Sequence, residues 1–182
     1  FPVETSDALR NHRQLSQELR LESTVRGGLK WQAGAYLFDE KYDVVAQDWL
    51  TPLTTTTHQD NRAYALFGNL NQDLGGGWQL RGGLRYTQDD KEFFSSLFLQ
   101  PGNASSSNTS GLVSANYQFT DDVMGYARVS TGYKAGGFSP RAPFLAKFDP
   151  EKATAYELGL KAEWFDRRLR TNLSLYQTDY KD

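Results

Sequence analysis

The feature that most restricts this chain is a two-residue alternation of apolar and polar side chains that recurs along its length. Leu15, Leu19 and Leu21 fall on one parity, and Ser16, Glu18, Arg20 and Glu22 on the other. Leu80 and Leu84 oppose Arg81 and Arg85, and Leu169, Leu173 and Leu175 oppose Arg170, Asn172 and Ser174. A period of two is a strand with one apolar and one polar face. A helix needs apolar residues three and four apart, and no segment has them. The pattern predicts an all-β antiparallel meander of eight strands, near 13–24, 29–39, 61–72, 77–88, 108–119, 123–133, 153–164 and 168–179.

The connections alternate in length. Short turns are expected at Val25-Arg26-Gly27-Gly28, Asp73-Leu74-Gly75-Gly76, Thr120-Asp121-Asp122 and Phe165-Asp166-Arg167, where Gly and Asp supply hairpin geometry. Long loops, rich in Thr, Ser, Asn, Gly and Pro, are expected at 40–60, 89–107 and 134–152. Strict alternation puts all short turns at one end of the sheet and all long loops at the other. Outer-membrane barrels are built that way, and a soluble sandwich has no reason to be.

Aromatic spacing points the same way. Trp78 and Tyr86 are eight residues apart and share a parity with Leu80 and Leu84. Tyr156 and Trp164 repeat that spacing around Leu158, Leu160 and Ala162. Eight steps of about 3.3 Å, tilted by about 40°, rise roughly 20 Å, close to the apolar band of a membrane barrel. With Trp31 and Phe119, these residues form the expected lipid girdle: Trp31, Trp78, Tyr86, Phe119, Tyr156 and Trp164.

Composition closes off other classes. The chain has 182 residues and a net charge of −2, so nothing draws it to nucleic acid. It has no cysteine, which removes disulfides and thiolate chemistry. No apolar run approaches the length of a spanning helix, a limit that does not touch spanning strands. There is no phosphate-binding glycine loop, no paired-histidine motif and no serine elbow, so no enzyme, cofactor or metal site is expected. His12 and His58 read as solvated loop residues. Asp89-Asp90 and Asp121-Asp122 read as turn and strand-end residues.

Several blocks together resemble the barrel of TonB-dependent outer-membrane receptors of the ferric-siderophore type. They are Gln17-Glu18-Leu19-Arg20-Leu21, Trp31-Gln32-Ala33-Gly34-Ala35-Tyr36, Ala63-Tyr64-Ala65-Leu66-Phe67-Gly68, Gly82-Gly83-Leu84-Arg85-Tyr86-Thr87, the stretch from Tyr126 to Phe138, and Tyr156-Glu157-Leu158-Gly159-Leu160-Lys161. The resemblance covers nearly the whole chain. It implies a transmembrane β-barrel in the cell outer membrane of a Gram-negative bacterium, contacting outer-membrane lipid. It also implies import of a scarce ligand such as a ferric siderophore, with energy from the TonB complex acting through a plug. The plug and the barrel C-terminus are not in residues 1–182, which correspond to a partial barrel domain. At about 23 residues per strand, that is roughly a third of a 22-stranded barrel.

In that setting Arg81, Arg85, Arg128, Lys161 and Arg170 are expected to face the lumen, pairing with Glu18, Glu157 or Glu163, or meeting a plug or an anionic ligand. Trp49, His58, Tyr133, Lys134, Phe138, Arg141 and Phe144, which mix aromatics and cations in the long loops, are the ligand-binding candidates. Positions 83 and 159, on the lumen parity, are expected to tolerate arginine better than the lipid-facing Leu80, Leu84, Leu158 and Leu160. A soluble β-sandwich glycan-binding module and a purely structural outer-membrane barrel remain open alternatives at this point.

Overall fold

The computed structural model describes residues 5–24, 28–48, 54–97, 101–139 and 146–181. The strands are β1 (Thr5–Glu22), β2 (Leu29–Asp48), β3 (Thr54–Gly75), β4 (Trp78–Ser95), β5 (Pro101–Thr120), β6 (Val123–Lys134), β7 (Gly137–Ser139), β8 (Ala146–Phe148), β9 (Glu151–Trp164) and β10 (Leu169–Lys181). Eight form one antiparallel sheet in the order β1-β2-β3-β4-β5-β6-β9-β10. The other two, β7 and β8, pair with each other. Among the described residues β1 pairs only with β2 and β10 only with β9, so the sheet is open, and the two short strands β7 and β8 do not cover it as the second sheet of a sandwich would.

Register converts the alternation into two faces. Leu19, Ala35, Leu66 and Tyr86 lie in one row across β1–β4. Leu80, Ala115, Ala127, Leu158 and Leu175 lie in another across β4–β10. This face is apolar and uncovered: Leu84 is 66% exposed and Leu175 69%. So large an apolar surface needs a non-aqueous neighbour. The opposite face carries Glu18, Gln32, Asn69, Arg81, Ser114, Arg128, Glu157 and Asn172, with Arg81, Ser114, Arg128 and Glu157 in one register row.

The strands run longer than the alternation predicts. β2 and β3 remain paired from Asp39↔Arg62 up to Gln47↔Thr54, and β4 and β5 up to Phe94↔Pro101. The expected loops at 40–60 and 89–107 are therefore mostly strand. Here polar residues stand on both faces and the apolar ones come in adjacent runs, Val44-Val45-Ala46 and Phe93-Phe94, so the alternation fades while the backbone ladder continues. Cross-strand charge pairs support it: Lys41 with Asp60, Asp39 with Arg62, and Asp43 with His58. Asp89 and Asp90 lie inside β4, not at its end. The third loop holds the β7–β8 hairpin.

The turn at 76–77 fits its sequence. Gly75, Gly76 and Gly77 have φ of 74°, 59° and 87°, and Asp73 Oδ1 accepts the Gly75 N–H at 2.9 Å. A Cβ on Gly76 would meet nothing within 4 Å, so its replacement isolates backbone strain. Gly76→Ala is expected to cost about 1–2 kcal/mol, the left-handed penalty of an L-residue. Urea titration of the folded receptor against the parent measures it. The Phe165–Arg167 turn makes the same bend without glycine, with φ of 56°, 55° and 67°. Of the first turn, 25–27 lie outside the described residues.

On the polar face, large side chains lie flat over glycines of the next strand. The Tyr126 ring covers Gly159, its register partner, and the Phe67 ring covers Gly34. Asn69 covers Gly83, where an added Cβ would sit 2.5 Å from its Oδ1. An arginine at 83 or 159 has first to displace Asn69 or the Tyr126 ring from the space its Cβ needs.

Candidate functional site

The five cations singled out from the sequence all lie on the polar face. Arg128 pairs with Glu157, which also accepts the Tyr126 hydroxyl. Arg170 pairs with Glu163, and Arg167 reaches the same carboxylate at 3.3 Å. Lys161 stands over the Tyr126 ring, 5.7 Å from its centroid. Arg85 lies 5.5 Å from the Tyr36 ring and 5.8 Å from the Phe67 ring, and its Nε donates to Thr87 Oγ1 at 3.1 Å. Arg81 bonds Gln79 Oε1 at 3.0 and 3.2 Å. The expected carboxylate pairing holds for Arg128 and Arg170 but not for Arg81 or Arg85.

The aromatic candidates Trp31, Trp78, Tyr86, Phe119, Tyr156 and Trp164 share the apolar parity by register and alternation. Tyr117 joins them: it packs 4.7 Å from Trp78 and edge-on to Phe119 at 4.9 Å. Tyr64, opposite Leu37, lies one row beyond Leu66. Sequence reading passed over both. Their alternation with Ala115 and with Leu66 was the available signal.

At the long-strand end the wall splits. The β5–β6 ladder stops at Leu112↔Ser130, while β6 continues with β9 to Lys134↔Glu151. Side chains bridge the gap: Thr131 Oγ1 accepts the Gly111 N–H at 2.8 Å, and Tyr133 bonds Ser106 Oγ at 2.5 Å. Phe138 stacks on the buried Phe93 at 5.5 Å, holding β7 against β4. Gly136 and Gly137 are buried there, with Phe148 in the space a Cβ would need. Close packing, not adaptable backbone, is what asks for glycine at these positions. Thus Tyr133 is tied to β5 and Phe138 to β4, while Lys134 stands opposite Glu151 of β9 at the end of the ladder. Burial pushes the nearby Asp89 carboxyl up, against the pull of Lys91.

His58 is apart from that group and is not in a loop. It sits on β3, between Asp43 Oδ1 at 2.6 Å and Asp60 Oδ1 at 3.1 Å. Hydrogen bonds from His58 and Asn11 hold the Asp43 carboxyl below the usual carboxylate range. His12 lies within β1 beside Glu40. Trp49, Arg141 and Phe144 lie outside the described residues. A groove of about 790 Å³ lies on the apolar face, lined by Trp31, Ala33, Gly68, Leu70, Gly82 and Leu84, away from every cation above. Its lining suits hydrocarbon and not a charged solute.

A single open sheet with one bare apolar face and one charge-bearing face is a piece of barrel wall. The sequence profile described as TonB dependent receptor-like, beta-barrel matches residues 3–182. The chain belongs to this family. Over 164 residues it is 30% identical to the pesticin receptor of Yersinia pestis, covering 85% of this chain and 24% of that protein. The wall superposes on the ferric yersiniabactin uptake receptor FyuA from Yersinia pestis with a TM-score of 0.80 and 25% identity, covering 97% of this chain and 30% of that one. The alcaligin outer membrane receptor FauA from Bordetella pertussis matches in fold, with a TM-score of 0.73 and 18% identity over 97% of this chain and 30% of that one. The chain thus spans about a quarter of the length of the curated relatives it matches. The TonB-dependent receptors are transport receptors, and the expected all-β meander from a larger barrel is what this chain forms.

Proposed function

We propose that this chain is part of an outer-membrane receptor of a Gram-negative bacterium that imports a ferric siderophore with TonB-derived energy. The observation that carries the reading is the pair of faces: an exposed apolar face edged by Trp and Tyr, backed by a face of arginines, amides and hydroxyls. In this reading the apolar face meets lipid, with Trp31, Trp78, Tyr86, Phe119, Tyr156 and Trp164 at its borders. Arg81, Arg85, Arg128, Lys161 and Arg170 face the lumen. Likeness at 25% identity to a ferric yersiniabactin uptake receptor supports a chelated-iron cargo.

The ligand is met at the long-strand end, by Tyr133, Lys134 and Phe138 together with Trp49, His58, Arg141 and Phe144. Rings there stack on a chelate, and cations answer its carboxylates and phenolates. In the intact receptor, Lys134→Ala with Arg141→Ala is expected to weaken ferric yersiniabactin binding about tenfold or more, taking about 1.5 kcal/mol for one charged hydrogen bond. The heat-modifiable gel mobility of the barrel is expected to stay unchanged, because truncating the Lys134 side chain at the end of the β6–β9 ladder leaves the backbone bonds in place. Normal binding and uptake by the double variant would remove the binding assignment.

A further inference from the structure

Among the described residues, His58 is flanked by carboxylates at both ring nitrogens. Nδ1 lies 2.6 Å from Asp43 Oδ1, and Nε2 lies 3.1 Å from Asp60 Oδ1. The other oxygens of both acids are already answered. Asn11 donates to Asp43 Oδ2 at 2.6 Å, and Lys41 pairs with Asp60 Oδ2. That leaves Asp60 Oδ1, which is buried and has no aligned hydrogen-bond donor. Buried polar atoms are ordinarily bonded, and the group within reach of this one is His58 Nε2. A neutral imidazole has one N–H, so it serves one aspartate and turns a lone pair to the other. An imidazolium donates to both. The two carboxylates face different edges of the ring and do not converge on a point, so the arrangement suits a proton and not a metal ion.

The cluster spans three strands. Asn11 stands at the bulge in β1, with φ of 52°, Lys41 and Asp43 are on β2, and His58 and Asp60 are on β3. Arg10 of β1 stands opposite Asp43, and on β4 Phe94 stands opposite His58 and Glu92 opposite Asp60. These positions share the parity of Tyr64 and Leu66 but lie beyond that apolar stretch, where no row of leucines holds the strands together. The His58 side chain is half exposed and meets the medium directly.

We propose that His58 is a proton-operated clasp on the outward arms of β1–β3: charged, it ties Asp43 to Asp60 and closes the arms, and neutral, it releases one of them. The inference goes beyond the receptor reading above and rests on it only for the medium concerned, which in that reading is the fluid outside the cell. Asp43 keeps its charge throughout, because hydrogen bonds from His58 and Asn11 hold its carboxyl below the usual carboxylate range. The closed arms need the proton on the ring, so the added stability is present in acid and is lost as the pH rises.

Backbone hydrogen exchange of the ligand-free full-length protein in lipid vesicles tests it, read at about pH 5 and about pH 8, the two sides of the histidine range, and scaled to the intrinsic rate at each. Amides of 39–47 and 54–62 are expected to be about fivefold better protected in acid, the scale of one half-exposed charge pair. The β9–β10 ladder from Ala153 to Tyr156 is the reference and is expected to show no such change. His58→Gln, which carries no charge, is expected to give the weaker protection at both pH values. His58→Lys, charged at both, is expected to give equal protection at both. His12→Gln removes the other histidine of these arms, the one beside Glu40, and is expected to keep the response. Equal protection of the parent protein at the two pH values overturns the proposal. So does a response that survives His58→Gln or vanishes in His12→Gln. The readout needs neither ligand nor transport. A protein whose arms respond as expected but which imports nothing keeps the clasp and loses the receptor reading.

Discussion

Leu160→Arg in the full-length receptor is expected to cost about 2–4 kcal/mol when the barrel refolds into lipid vesicles, the penalty for a cation at mid-depth on a lipid-facing strand. Leu160 is midway between Tyr156 and Trp164, opposite Gly125 on one side and Leu173 on the other. It is 41% exposed, and a surface position in water at that exposure changes stability by about 0.5 kcal/mol or less. The two surroundings therefore give well-separated results for one substitution. Depth adds a second check. Leu169→Arg, opposite Trp164 at the short-turn end, is expected to cost only about 0–1 kcal/mol. Ser174→Arg, on the polar face opposite Gly159, is expected to stay within about 0.5 kcal/mol. Equal costs at Leu160 and Ser174 in the same urea titration would mean that the two faces do not meet different media.

Gly159→Val is expected to be comparably damaging for an unrelated reason. Valine suits a strand better than glycine, so an uncovered position would gain stability. At 159 the Tyr126 ring already occupies the space a Cβ needs. Expelling it costs about 1–3 kcal/mol of overpacking. It also breaks the hydroxyl bond to Glu157 and removes the ring beneath Lys161. In a Tyr126→Ala background the same valine is expected to be neutral or stabilising. The double-mutant cycle should then show a coupling of about 2 kcal/mol or more, at the upper end for residues in contact. A coupling near zero would place the Tyr126 ring elsewhere. Gly34 has a second constraint, since a Cβ there would also lie 2.6 Å from the Leu19 carbonyl oxygen.

Legibility followed the medium on each side of the sheet. Where one face is apolar and the other polar, a one-residue slip would invert every side chain, so sequence and register constrain each other tightly. The middle segments of β1, β4, β9 and β10 were readable for that reason. From Asp39 to Gln47 and from Asp89 to Ser95 polar residues stand on both faces and apolar ones come in adjacent runs, so alternation carries no information, and strand looked like loop. What holds those arms is pairwise and distant in sequence: Lys41 with Asp60, His58 with Asp43, and Phe93 with Phe138. His58 was misplaced for the same reason. Its identity was plain, but its two carboxylate neighbours exist only once β2 and β3 are in register.

By itself the sequence determined the strand period, the two faces, the short turns at one end and the identity of the charged and aromatic residues. These are local properties, written in neighbours one or two residues apart. Only the tertiary structure decided which cations are neutralised, which glycines lie under a ring, how far the strands continue and where the wall splits. Each of these depends on which residue stands opposite which across a ladder. Arg128 and Arg81 look alike along the chain. They differ because β9 brings Glu157 to the first, and β3 brings the second only Asn71.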